Sequence, residues 1–175
     1  MNGSENNQDS WFKINLGELP IIAAGLVLLL GVLFWYRAQN IQTASLNSTH
    51  QTLAALQAAL VQYEQTAGGY PAISAGETQM RSFLEDYQRL FTYRAPNGQW
   101  QLRFCALIYV NPAAAVKGWI TMPDGSRYYG LVGVNDGFGN PIQYVTKGYF
   151  NQMVPCFVSV VYAGPGQTFN VYSNN

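Results

Sequence analysis

The sequence predicts an α+β protein, in which a long N-terminal helix packs its upper half on an antiparallel β-sheet. Three observations carry this. An uncharged run from Leu19 to Tyr36 passes directly into a one-sided apolar pattern that ends at Tyr63. A shorter helical pattern follows at Glu77 to Phe91. Beyond it the apolar period falls from about 3.6 to about 2, the change from helix to half-buried strand.

Residues 1–18 form a short arm in which Lys13 is the only cation, against Glu5, Asp9 and Glu18. The next segment, 19–36 (LPIIAAGLVLLLGVLFWY), is 18 residues long. As a helix it measures about 27 Å, close to a hydrocarbon core of about 30 Å, so it reads as a transmembrane helix. Trp35 and Tyr36 at its downstream edge suit the headgroup layer, and Glu18 and Arg37 bracket it with charge. A buried core helix is the alternative. A cleaved signal peptide fits poorly, because the apolar region is long, the arm is acidic, and Arg37-Ala38-Gln39-Asn40 offers no small-residue cleavage site. Lys13 and Arg37 balance each other in the rule that keeps basic residues cytoplasmic. Two cysteines downstream favour an oxidising compartment for the large domain, hence a cytoplasmic arm, an inner-membrane anchor, and a periplasmic or extracellular domain.

Residues 37–67 read as an amphipathic helical stalk, with Leu46, Leu53, Leu56, Leu60 and Tyr63 on one face and Ala54, Ala55, Ala58 and Ala59 as strong helix formers. Neither Pro nor Gly interrupts Tyr36 to Thr66, so span and stalk read as one helix of about 45 residues. Gly68-Gly69 and Pro71 end it. His50 is an ordinary helix-surface or seam histidine on this pattern, with a pH-sensitive contact as the alternative.

Residues 68–175 form one globular α+β region. In its helix, Met80, Phe83, Leu84, Tyr87, Leu90 and Phe91 fall on one side, and Glu85, Asp86 and Arg89 on the other. Trp100 to Ala106 alternates as a strand. Trp119–Met122 and Arg127–Leu131 flank Pro123-Asp124-Gly125-Ser126, in which Pro presets φ and Gly supplies a positive φ, so they read as a hairpin. Ile142–Thr146, Cys156–Tyr162 and Thr168–Tyr172 are further strands.

From Ala38 onward the chain carries seven basic and six acidic residues, and charged residues are only 10% of the whole. This balance excludes a polyanion-steering surface, so no nucleic-acid partner is expected, and weak mutual repulsion is compatible with packing against copies. No catalytic site is expected either. The single histidine has no nucleophile at useful spacing, Gly164-Pro165-Gly166 lacks a phosphate-binding lysine, and no small-molecule substrate or cofactor is indicated. Two cysteines and one histidine provide too few soft ligands for a metal site. Cys105 and Cys156 fall in predicted strands, where a disulfide would contribute about 4 kcal/mol through loop entropy. Two buried thiols are the alternative.

The long helix, the segment LQAALVQYEQTAGGYP from Leu56 to Pro71, and the loop DGFGNPIQY from Asp136 to Tyr144 together resemble the major pseudopilin of type II secretion systems and, more broadly, the type IV pilins. The resemblance implies a non-enzymatic structural subunit that assembles through its N-terminal helix. Its partners would be membrane lipid and copies of itself or other pilin-like subunits. It marks Tyr70 and Pro71 as the corner, and Asp136, Gly137, Gly139, Asn140 and Pro141 as a structural loop. It places Glu18 where family members carry a glutamate that neutralises the amino terminus of a neighbouring subunit. In that register the leader-peptidase cut falls after Lys13 where the family has glycine, so an uncleaved or differently processed arm is expected. Calcium, which relatives often bind in the C-terminal loop, is not expected, because no side-chain carboxylate follows Asp136. The competing reading is a monomeric, membrane-anchored binding or adhesion module using Tyr128-Tyr129 and the Tyr/Phe-rich C-terminal strands.

Overall fold

A computed structural model describes residues 19–71, 79–145, 155–164 and 167–173. Lys13, Glu18 and Glu77 lie outside them. The elements run α1 (Leu19–Ala67), α2 (Gln79–Phe91), β1 (Thr92–Arg94), β2 (Trp100–Leu102), a 3-10 turn (Ala106–Tyr109), β3 (Ala115–Thr121), β4 (Arg127–Val134), β5 (Gln143–Val145), β6 (Cys156–Gly164) and β7 (Gln167–Tyr172). The class is therefore α+β. The chain divides into two units, Met1–Gln42 and Thr43–Asn175.

The first unit holds the apolar part of α1. Its best 18-residue window has a mean hydropathy of 2.3, and none of it is buried. A core helix would bury such a window, so that alternative does not describe this segment. The helix is long and apolar enough to cross a membrane.

In the second unit α1 becomes one-sided. Leu53, Leu56, Ala59 and Leu60 are buried at helical spacing, while Asn47, Gln51, Ala54 and Ala58 face outward. The helix ends at Gly68, whose φ of 78° is the left-handed geometry of a C-terminal cap, and whose N–H donates to Glu64 O at 2.9 Å. α2 buries Met80, Phe83, Leu84, Tyr87 and Phe91 against this face. Its outer side is tied by ion pairs from Arg81 and Arg89 to Glu85 and from Arg89 to Asp86. Leu90, placed on the apolar side by its spacing, instead points outward, because it lies past the edge of the stripe set by Phe83, Tyr87 and Phe91.

The single expected sheet is three small antiparallel ones: β1–β2, β3–β4 and β5–β6–β7. β1 is unsignalled in the sequence and only three residues long, because α2 ends at Phe91 immediately before it. Its partner β2 therefore stops at Leu102, well short of the predicted Ala106. Arg103 N still reaches Phe91 O at 2.8 Å, but Cys105 then turns the chain into the 3-10 segment. The β3–β4 hairpin forms around the predicted turn, with Gly125 at φ 79°. Its strands run longer than their sequence patterns at both outer ends.

The core joins these pieces around aromatic rings. Phe83 lies 5.5 Å from Tyr144 and 5.1 Å from Phe157, and Tyr87 lies 4.4 Å from Phe91, centroid to centroid. Such contacts stabilise by roughly 0.5–1.5 kcal/mol each beyond the area they bury.

Candidate functional site

The loop after β4 is built around one carboxylate. Asp136 is 4% exposed, and its Oδ1 accepts from the N–H groups of Phe138 and Asn140, both at 2.8 Å. Its Oδ2 accepts from Ser159 Oγ at 2.6 Å and Asn140 Nδ2 at 3.3 Å. Four donors fill the acceptor capacity of an ionised carboxyl group, so its buried charge is fully hydrogen-bonded. Gly139 turns the chain at φ 87°, and Asn135 bridges to Pro141, closing the loop.

The same loop is fastened to α1. Gly137 N donates to Thr49 Oγ1 at 3.0 Å, and that hydroxyl donates in turn to Ser45 O at 2.9 Å. A Cβ on Gly137 would run into the main chain of Ser45, so only glycine permits this approach. Asp136, Gly137, Gly139, Asn140 and Pro141 thus meet as one clip on the helix. Tyr70 and Pro71 stand elsewhere, at the end of α1. Partial burial first, and then the Glu64 carboxylate, raise the Tyr70 phenol above its usual range.

Cys105 and Cys156 are both buried and are not joined to each other, so the expected disulfide is absent from the structure. β2 stops before Cys105, which lies beside the Tyr87 hydroxyl, whereas Cys156 opens β6 opposite Val145. The two expected strand positions that suggested a bridge are therefore not equivalent. Tyr87 is pushed upward by burial first and the Cys105 thiol second, and its hydroxyl donates to Gln62 Oε1 at 2.5 Å. Burial likewise raises Tyr144, whose hydroxyl has no hydrogen-bond partner among the described residues.

The sequence pattern assigns Gln88 no role, although a polar residue four after Leu84 and three before Phe91, on an apolar stripe, signals one. It is 1% exposed. Its Nε2 donates to Leu131 O at 2.6 Å and Leu84 O at 2.8 Å, and its Oε1 accepts from Leu131 N at 2.8 Å. The side-chain amide therefore bonds β4 as another strand's peptide would. A Cβ on Gly130 would strike that amide and the Tyr128 ring, which accounts for glycine there.

On the opposite face of the same hairpin Trp119 and Tyr129 are 53% and 56% exposed, with ring centroids 5.2 Å apart. The Arg127 guanidinium lies 5.1 Å from the Trp119 ring centre. Among the described residues no group of three or more His, Cys, Asp or Glu is placed to hold a metal ion. A groove of about 230 Å³ beside the clip is lined by Ser48, Asn111, Asn135 and Asp136, whose carboxylate is already saturated. No family model, curated protein or solved structure matches this chain.

Proposed function

We propose that the chain is a non-enzymatic structural subunit of the pilin or pseudopilin type, anchored in the inner membrane with its N terminus cytoplasmic and assembling through α1. One observation supports this above the others: a single helix, α1, is apolar all round and unburied in its first unit, then one-sided and buried in its second. Lipid and neighbouring helices satisfy the first half, and the protein's own core satisfies the second. Between Leu19 and Tyr63 the only charged residue is Arg37, so like-charge repulsion between copies of α1 is limited to that one cation. The clip of Gly137 on Thr49 and Ser45 adds support, because it ties the motif loop to the helix that would form the assembly's centre.

In this reading Glu18 neutralises the amino terminus of a neighbouring copy, and Lys13 marks a departure from ordinary pilin processing. Membrane fractionation with mass spectrometry of the native N terminus tests the anchor and its processing. The proposal expects the chain in the carbonate-resistant inner-membrane fraction, with either Met1 retained or a new terminus within the first 18 residues. A freely soluble chain beginning after Tyr36 contradicts it. Glu18→Ala is expected to reduce assembly without releasing the chain from the membrane.

A further inference from the structure

The β3–β4 hairpin leaves one strand edge and one face open, and the Gln88 bond fixes which main-chain groups that edge presents. Leu131 turns both its N–H and its C=O away from β3 to meet Gln88. In an antiparallel ladder a residue bonded outward faces a partner that is also bonded outward, and the phase alternates along the pair. Leu131 is the register partner of Lys117, so Lys117, and with it Trp119 and Thr121, direct their main-chain groups outward from β3. The turn-closing bond from Met122 N to Ser126 O at 2.9 Å has the same phase. Arg89 Nε takes Thr121 O at 3.0 Å. Among the described residues no strand pairs with the outer edge of β3, and the groups of Lys117 and Trp119 remain open.

The side chains above that edge have one character. Lys117, Trp119 and Thr121 from β3 share the outer face with Arg127 and Tyr129 from β4, all exposed. Among the described residues no carboxylate stands among them: Glu85 and Asp86 pair with Arg81 and Arg89, Asp124 pairs with Arg94, Glu64 lies beside Tyr70, and Asp136 is buried in its loop. Tryptophan, tyrosine and arginine are the residues that dominate binding energy at interfaces.

We propose that the outer edge of β3 is a docking strand for an extended acidic segment of another protein, which adds to the hairpin by main-chain pairing. Strand addition supplies affinity through the edge, and alternate side chains supply specificity. The segment carries acidic residues at the first and third of three successive same-face positions, beside Lys117 and beside Thr121 with its β4 partner Arg127, and an apolar residue between them over Trp119. A second copy is the poorer occupant. Pairing two β3 edges would gather Lys117 and Arg127 from both copies with nothing to balance them, and an edge lysine is a known guard against such pairing. This inference does not depend on whether α1 assembles.

The test uses the full chain in zwitterionic nanodiscs with three acetylated and amidated peptides: TETFTET, its isomer TTEEFTT, and TKTFTKT. Hydrogen exchange with mass spectrometry reads protection across β3, and titration reads affinity. The expected result is slowed exchange confined to the 115–121 segment with TETFTET, and binding roughly tenfold tighter than either comparison peptide. The double variant K117E/R127E is expected to lose roughly tenfold, the scale of two exposed ion pairs, while β4 keeps its protection. Equal binding of the isomer overturns the proposal, as does unchanged binding by K117E/R127E. Displacement of the peptide by single-stranded oligothymidylate overturns it in favour of a nucleic acid. Protection of β3 that rises with protein concentration alone overturns it in favour of a second copy.

Discussion

The two halves of α1 are equally helical, and they differ in what covers them. From Leu19 to Tyr36 every position is exposed, including Leu28, Val32 and Phe34, while from Thr49 to Leu60 an apolar stripe is sealed by α2 and the aromatic core. The first half is apolar around its whole circumference, and the second has a period. A uniformly apolar surface makes the first half long and apolar enough to cross a membrane, and periodicity fits the second to a protein core, within one uninterrupted element.

Substitutions in the two halves should separate these causes. Leu56→Ala removes a side chain with no exposure and should lower domain stability by about 2–5 kcal/mol in denaturant titrations in detergent. Leu28→Ala should leave that unfolding transition in place; a comparable loss would mean that the first half packs in the domain after all. Gly137→Ala sharpens the boundary between the halves, since its Cβ meets the main chain of Ser45. The expected cost is about 1–3 kcal/mol, with faster hydrogen exchange confined to the 135–141 loop. Thr49→Val keeps the shape and loses the hydroxyl that accepts from Gly137, at about 1–2 kcal/mol.

The smallest effect concerns the core beneath the second half. Burial raises the Tyr144 and Tyr87 phenols above the ordinary value of 10.0, so their neutral forms stabilise the fold. That contribution is fully present below pH 10 and is lost as pH rises toward the folded values. Stability should therefore decline above about pH 10. Tyr144→Phe, which deletes an unpartnered hydroxyl, should cost little at pH 7 and blunt the alkaline decline; an unchanged alkaline slope would remove Tyr144 from this account.

What the sequence made legible was local. The end of α1 at Gly68, the hairpin around Pro123 to Ser126, and the tight loop at Asp136 all follow from residues whose backbone preferences are strong over a few positions. What it hid depends on distant partners. β2 is cut short because β1 has only three residues to offer, and the Cys105 position changes with it. Gln88 acts on Leu131, 43 residues away, and Gly130 is glycine because of that amide. Alternation alone could not divide the strands among three sheets, since period 2 fixes which face a side chain takes but not which strand lies beside it.

Cysteine scanning through the first half of α1 reads out whether copies of the helix meet. Single cysteines from Leu26 to Phe34, in a chain with Cys105 and Cys156 replaced by alanine, are oxidised in native membranes. The account predicts disulfide-linked copies that rise and fall with a period of about 3.6 residues. Cross-links at no position, in a chain shown to be membrane-bound and folded, would contradict assembly through α1 and leave an anchored monomer.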